Sequence, residues 1–220
     1  MLVAEESYEI KQPTIGLYLG SFDPVHNAHI DIPLKIKNHF ELDKIIYVPT
    51  GTSPAGKAFK ANKSDRLKML ENATAQNKSL SIDDYELKSP HISYSFNTLK
   101  YFEELYPQNK LRLIIGEDNF MSFTKWYKYY EILQIVNIVV LVRDNILRCD
   151  NIKDIKILLE ENINLFNKAK YGKIYMSEKH KSIISSTMVR DHVRRNESII
   201  NYVSNENNKY ILEKGLYRWS

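Results

Sequence analysis

The chain has 220 residues, 31 Lys and Arg against 27 Asp and Glu, a formal net charge of +4 and a single cysteine, Cys149. The length suits one domain with a sizeable core. One cysteine excludes an internal disulfide framework and a Cys-rich zinc site, and a small basic excess without a dense Lys/Arg run suits anionic small molecules better than nucleic acid. The opening MLVAEESYEIKQP is too acidic and polar for a signal peptide, and no apolar run reaches membrane-spanning length, so a cytoplasmic protein without membrane contact is expected.

Residues 1–13 read as an N-terminal extension and 14–220 as one domain. Strands are expected at 15–20, 44–49, 80–83, 111–116, 138–142 and 173–176. The fourth and fifth, LRLIIG and IVVLV, are nearly continuous in aliphatic residues, as strands buried on both faces of a parallel sheet are. Helices are expected between them at 27–38, 64–76, 94–106, 127–133 and 152–166, with two more, at 187–194 and 205–214, in a helical C-terminal part. The alternation predicts an α/β fold: a doubly wound, Rossmann-like parallel sheet. The loop 50–62 is long for such a fold, and long loops tend to carry function.

The stretch YLGSFDPVHNAHI, residues 18–30, follows the first strand. Ligands of open α/β sheets bind outside the carboxyl ends of the strands. Pro24 forbids a regular helix through this turn, so a helix starts near His26 or Asn27. Its free N–H groups favour an anion, and His26 and His29, three apart, share one face of its first turn. Three readings compete: a phosphate site, a metal half-site, and histidines that merely occur at a helix start. The metal reading lacks further ligands at suitable spacing. Near the other end stands KSIISSTMVRDHV. Ser185, Ser186 and Thr187 are favoured N-cap types. Arg190, one turn in, offers a charged fork for phosphate oxygens. By itself the segment also reads as an ordinary cap with a surface arginine.

GSFDPVHNAH resembles the signature G-x-F-D-P-x-H-x-G-H of the nucleotidyltransferase superfamily, and ISSTMVR resembles its second signature, I-S-S-T-x-(I/V)-R. Ala28 stands where the family has Gly, whose missing side chain allows close approach of the nucleotide. IIGEDNFMSFTKWYKYYEIL, HISYSFNTLKYF, GKIYMSE and KGLYR are similar to segments of the bacterial nicotinate mononucleotide adenylyltransferases, so the resemblance spans nearly the whole chain after residue 13. It implies adenylyl transfer from ATP to nicotinate mononucleotide, giving deamido-NAD and pyrophosphate. His26, His29 and Arg190 would act in catalysis. Gly20, Ser21, Phe22, Asp118, Ser185 and Thr187 would join them around ATP. Asp23, Ser95, Trp126, Tyr127 and Lys57 would hold the mononucleotide, with Trp126 stacked on the pyridine ring.

Asp118 also reads as a helix cap, and Trp126 as a core tryptophan. Mg²⁺ is expected on the substrate phosphates, since no dedicated carboxylate cage is visible. Where the family reads PPHK or PPHR, this chain reads VPTGTSPAGK, with Ala55 at the family's His and Gly56 at its basic residue. Lys57 or Lys60 is expected to substitute. Rival readings are transfer to nicotinamide mononucleotide or phosphopantetheine, a non-catalytic nucleotide- or RNA-binding module, and a tRNA-synthetase fragment, which would need a KMSKS-like segment. A homo-oligomer is left open.

Overall fold

The structure is a computed structural model that describes residues 12–56, 58–142, 158–178 and 184–218. Among them, β1 (Thr14–Gly20), β2 (Lys44–Pro49), β3 (Leu80–Ile82), β4 (Lys110–Gly116), β5 (Asn137–Leu141) and β6 (Ile174–Met176) form one parallel sheet in the order β3-β2-β1-β4-β5-β6. Every strand lies within one residue of the stretch expected. The helices are α1 (Asn27–Lys37), α2 (Lys63–Thr74), α3 (Tyr85–Lys88), α4 (Ser95–Leu105), α5 (Glu117–Phe120), α6 (Tyr129–Ile132), α7 (Ile163–Lys168), α8 (Ser186–Arg194) and α9 (Asn205–Lys214).

Successive strand residues point to opposite faces, and this divides the core in two. Ile45, Tyr47, Ile114, Val139 and Leu141 face α1, α2, α7, α8 and α9 through Ile32, Met69, Phe166, Val189 and Ile211. Ile15, Leu17, Ile46, Leu113, Ile138 and Val140 face α4, α5 and α6 through Leu99, Phe102, Phe120 and Ile132. Both faces are covered, which is why the central strands are apolar without alternation. Gly16 sits where a Cβ would meet the Ile114 Cδ1 at 2.9 Å, so glycine lets the first face close tightly over it. The near-continuous apolar run hid one charged residue: Arg112 is fully buried in β4. It donates to the carbonyls of Asn167, Ala169 and Lys170 at the end of α7, and burial lowers its pKa to about 10.

Two helix expectations need correction. Of the helix expected over 152–166, residues 152–157 lie outside the described residues. Leu159 instead bridges Ile174, and the Glu160 N–H donates to the Ile174 carbonyl. The open edge of β6 thus captures this segment. Helix begins only at Ile163, where the Asn162 side chain accepts from the N–H groups of Asn164 and Leu165. The helix expected over 127–133 shrinks to α6, because Lys128 adopts left-handed backbone at φ 55.

Candidate active site

The strand order reverses between β1 and β4, and the crevice of such a sheet opens at that switch point. A cavity of about 660 Å³ lies there. Gly20 and Ser21 after β1 line it, as do Thr50, Ser53, Pro54 and Ala55 after β2. Ser93, Tyr94 and Ser95 at the start of α4, and Ser122, Lys125, Trp126 and Tyr127 after β4, complete most of the wall.

The turn after β1 is built inward. Phe22 is 1% exposed, at φ 47, with its ring edge-on to Tyr18 at 5.5 Å and to His29 at 5.3 Å. A Cβ on Gly20 would meet that ring at 3.0 Å, so glycine lets Phe22 fold back over the strand end. The Phe22 ring is thus wedged into the core at the strand end. Asp23 is buried too, and its carboxylate accepts from the Lys60 N–H at 2.6 Å, the Ala61 N–H at 3.1 Å and the Tyr217 hydroxyl at 2.8 Å. Burial, reinforced by Asp23, pushes the Tyr217 phenol far above its ordinary pKa.

At the start of α1 the rings of His26 and His29 stack, 3.7 Å between centroids and 26° apart. The His26 N–H donates to the Nδ1 of His29 at 3.2 Å. An accepting Nδ1 leaves the proton of a neutral His29 on Nε2, which makes that atom a donor. Among the described residues, no group of three or more His, Cys, Asp or Glu side chains able to hold a metal occurs.

The second motif docks on this same turn. The Ser186 hydroxyl donates to the Pro24 carbonyl at 2.9 Å. Arg190 donates through Nη1 to the Asp23 carbonyl at 2.6 Å and through Nη2 to the Thr187 hydroxyl at 3.0 Å. Ser185 caps α8 by accepting the Met188 N–H at 3.2 Å. Arg190 is thus neither a loose surface arginine nor part of the cavity wall. With Thr187 it is held against the turn that leads from Gly20 and Ser21, which border the cavity, to the start of α1; Arg190, Thr187, His26 and His29 are not themselves among the residues lining it.

On the cavity wall, the Trp126 indole N–H donates to the Ser122 hydroxyl at 3.4 Å, and its ring meets the core residue Phe123 edge-on at 5.5 Å. The core anchors Trp126, and its remaining surface is wall. No side chain caps α4 at Tyr94, so the first N–H groups of that helix, beside the Ser95 hydroxyl, lack intrahelical acceptors. Tyr127 packs on Tyr94 at 4.9 Å. Asp118 is exposed at the end of β4 and does not cap α5, whose cap position is Gly116. A Cβ on Gly116 would meet the Asp118 Oδ1 at 2.6 Å, so the carboxylate lies folded over the strand end.

A family model described as cytidylyltransferase-like matches residues 17–192. A probable nicotinate-nucleotide adenylyltransferase of Aquifex aeolicus is 41% identical over 128 residues, covering 58% of this chain and 76% of that one. Another, of Caldicellulosiruptor saccharolyticus, is 33% identical over 204 residues, covering 93% and 98%. This chain belongs to the nicotinate-nucleotide adenylyltransferases, within the cytidylyltransferase-like family. In fold it matches the Plasmodium falciparum nicotinic acid mononucleotide adenylyltransferase complexed with NaAD, with a TM-score of 0.73 over 94% of this chain and 98% of that one, at 20% identity.

Against the family pattern, Ala28 buries its methyl in the core beside Phe22 and Val25, at 8% exposure. The divergent loop is pinned rather than loose. The Gly51 and Thr52 N–H groups both donate to the Ser93 hydroxyl at 3.1 Å, and Gly56, at φ 67, closes a turn onto the Ser53 carbonyl. Lys57 lies outside the described residues. The Lys60 backbone is held by Asp23.

Sequence reasoning missed two buried charges. Arg66 ties the ends of β1 and β2 together by donating to the carbonyls of Ser21 at 2.9 Å and Thr50 at 2.7 Å, with its guanidinium over the Phe59 ring. Burial lowers its pKa. Glu86, on α3, borders the cavity and accepts the Thr98 hydroxyl at 2.6 Å. Burial raises its carboxyl, against bonds from Thr98 and Ser93 that pull it down. A charged residue in a polar stretch carries no local sign that it will be buried.

Proposed function

We propose that this chain transfers the adenylyl group of ATP to nicotinate mononucleotide, giving deamido-NAD and pyrophosphate. The observation that carries the reading is the convergence of two helix starts, His26–His29 and Ser185–Arg190, on one turn bordering an aromatic-walled cavity. A triphosphate calls for such a cluster of donors, and a planar acceptor ring for such a wall.

In this mechanism a 5′-phosphate oxygen of the mononucleotide attacks the α-phosphorus of ATP in line. The bond from that phosphorus to the β-bridging oxygen breaks, and pyrophosphate leaves with the electron pair. The attacking oxygen is already anionic, so no general base is needed, and the protein positions the reactants and neutralises charge. His29 donates from Nε2 to the α-phosphate as charge develops there, with His26 stacked on it to fix its ring. Thr187 and the guanidinium of Arg190 hold the departing phosphates, while Ser185 supports them by capping α8. Ser21 and the Gly20 backbone border both substrates, and Asp118 takes the ATP ribose. Trp126 stacks on the pyridine ring, with Ser95 and Tyr127 beside it. Phe22 and Asp23 shape the turn. ATP enters as its Mg²⁺ complex, and the described residues offer the ion no carboxylate cage of their own.

Incubation with ATP and either the acid or the amide mononucleotide, with pyrophosphate release and dinucleotide formation read separately, tests this. Dinucleotide formed faster from the acid is the expected result. Preference for the amide would move the chain to the nearest rival, and no turnover with either would favour a binding module.

A further inference from the structure

The reaction proposed above leaves open what separates an acid acceptor from an amide. The Ser95 hydroxyl and the uncapped amides of α4 can donate to a carboxylate oxygen or a carboxamide oxygen alike. The two acceptors also differ in net charge, so charges on the cavity wall bear on the choice between them.

Among the described residues, two charged side chains border the cavity, Glu86 and Lys125. Glu86 is 3% exposed, with Oε1 taking the Thr98 hydroxyl at 2.6 Å and Oε2 buried. Its carboxyl is directed into the protein, where Thr98, Ser93, the Gly51 N–H and Arg66 surround it. Lys125 is the opposite case. It is exposed, and its N–H donates to the Ser122 carbonyl at 2.9 Å, which closes the short helical turn that delivers Trp126 to the wall. Its ammonium makes no hydrogen bond or ion pair with any described residue. The neighbouring cation, Lys128, is drawn over the rings of Phe96 at 4.5 Å and Tyr127 at 5.5 Å.

We propose that Lys125 is a specificity-determining residue, whose ammonium beside Trp126 favours an acceptor with a carboxylate on its pyridine ring over one with a carboxamide. An exposed ammonium acting on a carboxylate across a partly solvated wall gains little beyond a surface ion pair, which sets the expected discrimination at about two- to fivefold.

The test is the ratio of kcat/KM for nicotinate mononucleotide over nicotinamide mononucleotide in the wild type, Lys125→Gln and Lys125→Glu. The ratio should fall about two- to fivefold in K125Q and further in K125E, through the KM of the acid. Added salt should lower the ratio in the wild type more than in K125Q, as screening of an exposed charge requires. A ratio unmoved by both substitutions would overturn the inference. So would an equal rise in both KM values, which would mean that Lys125 holds the phosphate common to the two acceptors. A wild type that makes dinucleotide from neither acceptor would instead overturn the reaction itself. Lys125 is exposed, so neither substitution threatens the fold.

Discussion

At the scale of single residues, chemistry here is set by what each side chain is already bonded to. His29 uses Nδ1 to accept a backbone N–H, which fixes which ring nitrogen is left to donate. His29→Ala is expected to lower kcat about 10²–10³-fold, the usual cost of losing one donor to developing charge, with smaller changes in either KM. Steady-state kinetics within a few-fold of the wild type would remove His29 from the mechanism. Trp126 rests one edge on Phe123 and gives the rest of its surface to the cavity. Trp126→Ala should therefore raise the mononucleotide KM more than the ATP KM; equal effects would reduce the residue to packing. Both residues are singled out in the sequence by their motifs. The bonds of Asp23 are not: two backbone amides and a phenol from distant segments meet its carboxylate.

At the scale of elements, the site depends on helix starts and on how one loop is held between them. The capping role of Ser185 could be read from residue type alone, because a cap is a bond within three residues. The short helices α3 and α5 could not, since four residues are too few to show periodicity. Their effect on the site is large all the same. The loop after β2 passes so close to α3 that a Cβ on Gly51 would overlap the Glu86 carbonyl oxygen. Backbone cannot yield as a flexible side chain does. Gly51→Ala is thus expected to cost roughly 1–3 kcal/mol, as overpacking does, and to raise the acceptor KM as Thr50–Ala55 shift. Chemical denaturation and kinetics on the same preparation check the two together. A variant with wild-type stability and KM would show that the loop is not gripped as described.

At the scale of the whole molecule, residues near the two ends of the chain close on one turn. Tyr217 reaches Asp23 across 194 positions of sequence, and Arg190 reaches the same residue's carbonyl across 167. These long-range bonds tie the helical C-terminal part to the sheet. Tyr217→Phe removes one donor from a buried carboxylate that keeps two, so a loss of about 1–2 kcal/mol is expected. It should appear as a lower denaturation midpoint, with the mononucleotide KM little changed. An unaltered midpoint would contradict the clasp.

The sequence by itself determined the six strands, the burial of β4 and β5 on both faces, and the starts of α1 and α8. These depend on residues close together in the chain: apolar runs, caps and turn-forming types act locally. Only the tertiary structure decided that Asp23 and Phe22 are framework, that Arg66, Glu86 and Arg112 lie buried, and that Lys125 stands on the cavity wall beside Trp126. A charge is written in the sequence, but the carbonyl or hydroxyl that receives it comes from a distant segment, and only folding brings the two together.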